Sequence, residues 1–184
     1  MATVWLTTIS GWGFRAYLLI PLLIALVMAW GDVRTRRIPN YLTFGAALAG
    51  LTFQAAGQGW PGLAQGLGGL GLGFALLILP YILGGMGAGD VKALAALGAW
   101  LGPHRTFELF IFMAISGGLM ALMVLWWKGL MWAKIRQMGV LGLNLILSRS
   151  GGMALASPTP DQTESLPYGL ALAAGMLLVF LRGA

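Results

Sequence analysis

The chain has 184 residues, 59% hydrophobic and 9% charged, with a mean hydropathy of +0.85. A soluble domain carries about 25% charged residues, so this composition excludes one and predicts an all-α, polytopic membrane protein, with room for about six spans of about 20 residues each. The formal charge of +6 is assigned to loop cations that set orientation rather than to a nucleic-acid surface, and a chain with no cysteine and one histidine has neither disulfides nor a clustered thiolate or histidine metal site.

Residues 1–13 are uncharged and carry Trp5 and Trp12, which suit a membrane interface. The first span is predicted from about Phe14 to Trp30. It ends VMAWGD, without an A-x-A cleavage pattern, so no cleavable signal peptide is expected. Asp32 to Asn40 is predicted as a basic loop holding Arg34, Arg36 and Arg37. A second span covers about Tyr41 to Ala56, and Gly57–Gly62, with Trp60 and Pro61, is a turn. The third span, about Leu63 to Leu83, is preceded and lined by the small-xxx-small pairs Gly62/Gly66 and Gly69/Gly73, which let helix backbones pack closely.

A glycine-rich loop, Gly84–Lys92, leads to a short apolar segment, Val91 to Leu101, and a turn at Gly102–Arg105. A fifth span runs from about Phe107 to Trp127. Over 128–148, Lys134, Gln137, Asn144 and Ser148 recur at helical spacing among apolar residues, the pattern of an amphipathic helix lying on the membrane surface. Arg149–Ser165 is a linker, and Pro167 to Leu181 is the last span. The whole, 1–184, is taken as one integral-membrane domain.

Loop cations give the orientation. Arg34, Arg36, Arg37, Lys92, Lys128, Lys134, Arg136 and Arg149 fall on one side, against Arg15, Arg105 and Arg182 on the other. The first side is therefore expected to be cytoplasmic. Asp32 and Asp90 both fall there.

These two acids are the candidates for chemistry. A carboxylate at membrane depth costs roughly 2.5–3.5 kcal/mol on insertion scales, and a chain does not usually carry that cost for packing. Asp90 follows Gly84, Gly85, Gly87 and Gly89, which remove side chains and let another segment come close. Two carboxyl groups held close share a proton, so one serves as base and the other as acid. Such a pair can activate water and protonate a leaving nitrogen without metal or cofactor, and the proton belongs to the pair.

The remaining polar residues have plainer expectations. Lys92 either orients a carboxylate or marks the cytoplasmic boundary. Arg34, Arg36 and Arg37 suit topology and anionic lipid. Pro39 starts the second helix, and Asn40 either caps it or bonds across the site. Glu108 is an interfacial charge near Arg105, and His104 lies in a turn away from the aspartates.

Three patterns resemble the type IV prepilin peptidases, integral-membrane aspartic proteases of the GxGD type. They are Asp32 followed by Arg37-Ile38-Pro39-Asn40, then Gly87-Ala88-Gly89-Asp90-Val91-Lys92, then Pro167-Tyr168-Gly169. The resemblance implies cleavage of a short basic leader from pilin-like precursors at the cytoplasmic face of the bacterial inner membrane, with Asp32 and Asp90 as catalytic pair. It also implies active-site-loop or substrate-binding positions at Gly87, Gly89, Lys92, Arg37, Pro39, Asn40, Pro167, Tyr168 and Gly169. Bifunctional members that also N-methylate the new amino terminus usually carry a larger region after the first span, often with paired cysteines. Here about ten residues separate the first two spans, similar to the peptidase-only form found with Flp (tight-adherence) pili. A presenilin-like intramembrane protease, a proton-coupled transporter and a purely structural pilus-assembly scaffold are the competing classes.

Overall fold

The computed structural model describes residues 11–83, 85–127, 129 and 168–182. All regular structure among them is helical: α1 is Gly11–Thr35, α2 Asn40–Ile82, α3 Ala88–Trp127 and α4 Tyr168–Arg182. The predicted surface helix over 128–148 and the linker after it lie outside the described residues. Three helices are long and apolar enough to cross a membrane, and α4 is a shorter apolar helix. Met1–Gly117 with Pro167–Ala184 forms one compact unit, and Gly118–Leu166 a second. All that follows concerns the first.

Two of the long helices are each broken in two. Helix α2 breaks at Gly59 (φ 62°, ψ −140°), two residues before Pro61. Helix α3 breaks at Gly102 (φ 72°, ψ 172°), directly before Pro103. These are the turns expected at 57–62 and 102–105. A side-chain-bearing residue rarely adopts the Gly102 angles, and proline removes the donor that would carry the helix through. After Gly59 the second arm of α2 folds back on the first: a Cβ on Gly66 would touch Leu51 of that arm and Ala99 of α3.

The second arm of α2 then runs antiparallel to the first arm of α3. Gly69 lies on the Gly98 backbone and Gly73 on Leu94 and Ala95, so closely that a Cβ at Gly69 would overlap the Gly98 carbonyl. The first arm of α3 is the centre of the unit. Ala93, Leu94, Ala96, Leu97, Ala99 and Trp100 are all buried, which explains an apolar segment too short and too uniform to show a lipid-facing stripe. Leu23, Trp30, Phe44 and Leu48 instead point outward, as expected of helices solvated by lipid.

The break at Gly102 leaves the last carbonyls of that first arm without helical partners. Gln54 supplies one: its Nε2 donates to the Trp100 carbonyl at 2.9 Å and faces the Tyr17 hydroxyl at 3.5 Å. Trp100 Nε1 in turn donates to the Ala46 carbonyl at 2.8 Å, and Thr106 Oγ1 donates to the Gly102 carbonyl at 2.7 Å. Helix α4 packs on the second arm of α3, where Ser116 Oγ stands 3.0 Å from the Ala171 carbonyl and Gly175 lies on Met113. It also packs on α1, through Gly169 against Ala29 and Asp32.

Candidate active site

Asp32 lies within the last turn of α1, which continues to Thr35, and not in the basic loop expected over 32–40. The helix is ended by Arg36, whose φ of 51° is the left-handed cap conformation usually left to glycine or asparagine. Its N–H donates to the Asp32 carbonyl at 2.7 Å. Thr35 Oγ1 stands between the carbonyls of Gly31 (2.8 Å) and Arg37 (2.9 Å), with one proton to donate to either. Ile38 then turns into the core, and Pro39 caps α2.

Among the described residues, the Asp32 carboxyl has one direct partner far along the chain: the Gly169 N–H, in the first turn of α4, donates to Oδ2 at 2.8 Å. Asp32 thus stands at the carboxyl end of one helix, where a negative charge is disfavoured, and the amino end of another, where it is favoured.

Asp90 likewise lies on a helix and not in the expected 84–92 loop, in the first turn of α3. Its N–H donates to the Gly87 carbonyl at 3.2 Å. Its side chain folds back over Gly87, with Oδ2 3.4 Å from where a Gly87 Cβ would stand. The residue is buried. Gly89 packs on Ile38, whose Cβ would be 3.4 Å from a Cβ there. The stretch after Asp32 and the stretch before Asp90 are therefore in direct contact.

The two carboxyl groups stand close enough for the charge of Asp32 to act on Asp90. Among the described residues neither is in an ion pair; His104 Nδ1 stands 3.9 Å from Glu108 Oε1, on the second arm of α3. No group of three or more His, Cys, Asp or Glu side chains comes together among the described residues.

The other predicted residues divide. Lys92 Nζ donates to Asn40 Oδ1 at 3.0 Å and lies 5.9 Å from the centre of the Phe44 ring. Asn40 thus bonds across the site, and the α2 start has no side-chain cap. Arg37 is exposed. Arg34 stacks its guanidinium 4.8 Å above the Trp30 ring. Tyr168 opens α4, and Pro167 lies outside the described residues. The sequence alone gives Gln54 and Trp100 no role; an amide inside an apolar run is the available sign, since an amide there needs a buried partner.

A model of the type IV leader peptidase family matches residues 18–124, a stretch that contains both aspartates. The chain is 38% identical over 186 aligned positions to a prepilin leader peptidase/N-methyltransferase of Aeromonas salmonicida (strain A449), covering 97% of this chain and 53% of that protein. It is 34% identical over 134 to one of Pectobacterium carotovorum subsp. carotovorum, covering 69% and 45%, and 40% identical over 91 to one of Klebsiella pneumoniae, covering 46% and 40%. The chain thus spans about half the length, or less, of these curated relatives. No solved structure matches it.

Proposed function

The chain belongs to the type IV leader peptidase family, and from that premise we propose that it is an aspartic endopeptidase that removes the basic leader from type IV pilin-like precursors. The proposed setting is the cytoplasmic face of the bacterial inner membrane, with Asp32 and Asp90 as the reacting pair in a six-span bundle. The observation that carries this reading is the packing of Gly89 on Ile38, which sets the stretch before Asp90 against the stretch after Asp32.

The chemistry follows from one shared proton. The ionised carboxyl takes a proton from water as the water oxygen attacks the scissile carbonyl carbon. The protonated carboxyl gives its proton to the amide nitrogen as the C–N bond breaks. The pair gains one proton and loses one, and ends as it began. The proposal covers the peptidase alone: residues 36–39 are all that joins α1 to α2, and the chain has no cysteine.

The test is cleavage by the purified chain in liposomes. The substrate is a precursor with a basic leader, a glycine before the cut and an apolar helix after it. Asp32→Asn and Asp90→Asn should each abolish cleavage while the protein still inserts. Cleavage at the parent rate by either variant would remove the dyad.

A further inference from the structure

We infer that Gly169 is a positioning residue for Asp32: its backbone amide holds the carboxylate, and its lack of a side chain lets α4 come close enough to do so. The inference rests on the peptidase reading above and assigns a part in it to a helix that contributes no reacting side chain.

Asp32 needs such a holder. It lies in the last turn of α1, where the carbonyl ends of the helix repel a carboxylate. The arginines that follow it make no ion pair with it among the described residues. What remains is the Gly169 N–H, 2.8 Å from Oδ2. This amide belongs to the first turn of α4, where N–H groups have no helical acceptor and are free to bind an anion.

The approach is also closed to any larger residue. A Cβ at position 169 would stand 2.8 Å from Asp32 Cβ, 2.9 Å from Oδ2 and 3.1 Å from the Ala29 Cα. The last of these is backbone and cannot swing aside. Either the carboxylate or the helix must move.

Helix α4 is in turn fixed to the second arm of α3, the helix whose first turn holds Asp90. Ser116 Oγ stands 3.0 Å from the Ala171 carbonyl, two residues beyond Gly169, sharing its one proton with the Phe112 carbonyl at 2.8 Å, and Gly117 leaves room for the Ala171 methyl, 3.4 Å from where its own Cβ would be. The position of Asp32 relative to Asp90 is therefore set through α4 as well as through the Ile38–Gly89 contact.

The decisive experiment replaces the Gly169 amide by an ester, by incorporating glycolic acid at that position. This replaces the N–H donor by an ester oxygen and adds no side chain. Gly169→Ala is made beside it, and rates are measured per mole of folded protein in liposomes. Loss of a charge-assisted bond at a reacting group predicts that kcat falls about ten- to hundredfold in the ester chain, with KM within about twofold of the parent. Gly169→Ala should lose at least as much. A purely structural glycine would instead lower the melting temperature and folded yield and leave kcat per folded molecule unchanged, and that result overturns the inference. So does an ester chain with the parent kcat. If the unsubstituted chain itself fails to cut, the peptidase reading is what has failed.

Discussion

Lys92, near the start of α3, donates from Nζ to Oδ1 of Asn40, the first residue of α2, over 3.0 Å. The ammonium two residues from Asp90 is thereby engaged by a neutral amide. The bond is charge-assisted but exposed to solvent, so it contributes about 0.5–1 kcal/mol rather than the larger value of a buried one. A double-mutant cycle with Asn40→Ala and Lys92→Ala should return a coupling energy of that size in reversible unfolding. Effects that add to within about 0.3 kcal/mol would show that the two side chains do not interact.

Asp90 is buried at 7% exposure and feels the charge of Asp32. A buried carboxylate facing another is a cost to the fold. Asp90→Asn keeps the shape and removes the charge, so it should stabilise the protein by about 1 kcal/mol, a shift of a few degrees in Tm, while ending catalysis. Thermal unfolding in detergent measures this; a lower Tm would mean that the charge is held by bonds the amide cannot make.

The contact of α2 and α3 at Gly69 and Gly98 has no room for any side chain, since a Cβ on either would overlap the other's carbonyl. Gly98→Leu should therefore separate the second arm of α2 from the first arm of α3, at a cost of about 3 kcal/mol or more, beyond ordinary overpacking because the obstacle is backbone. Folded yield after reconstitution is the readout. A variant that folds with parental Tm would mean that these helices do not meet there.

Gly102 holds φ 72° and ψ 172°, a region that alanine enters at a cost of about 1–3 kcal/mol. A Cβ would also stand 3.3 Å from Gln65 Oε1. Gly102→Ala should lower stability by that amount. The effect should be larger than that of Gly71→Ala, whose Cβ would meet nothing within 4 Å. Equal effects at the two positions would contradict the break.

Much of the helical order was legible because its punctuation is chemical. Glycine with proline marked both breaks, and apolar runs between loop cations marked the arms. The helix boundaries at the two acids differ from the expected loops for a physical reason. Asp32 ends a helix only because Arg36 takes a left-handed conformation, and nothing in an arginine announces that. The chain past Gly87 becomes helical at once because Asp90 folds back over that glycine, which a reading by hydropathy scores as loop.

The contacts that assemble the site were less accessible still. Gln54 on Trp100, Lys92 on Asn40 and Gly169 on Asp32 are pairings across the chain, and no local propensity encodes them. Resemblance had marked Gly169 and Asn40 as important without saying what either touches.

The bond from Gly169 to Asp32 joins positions 137 residues apart. A ribosome delivers α1 to the membrane long before it delivers α4, so throughout that interval the first aspartate has no amide to hold it. On the proposed reading, a nascent chain has no positioned Asp32, and so no complete site, until α4 is in place.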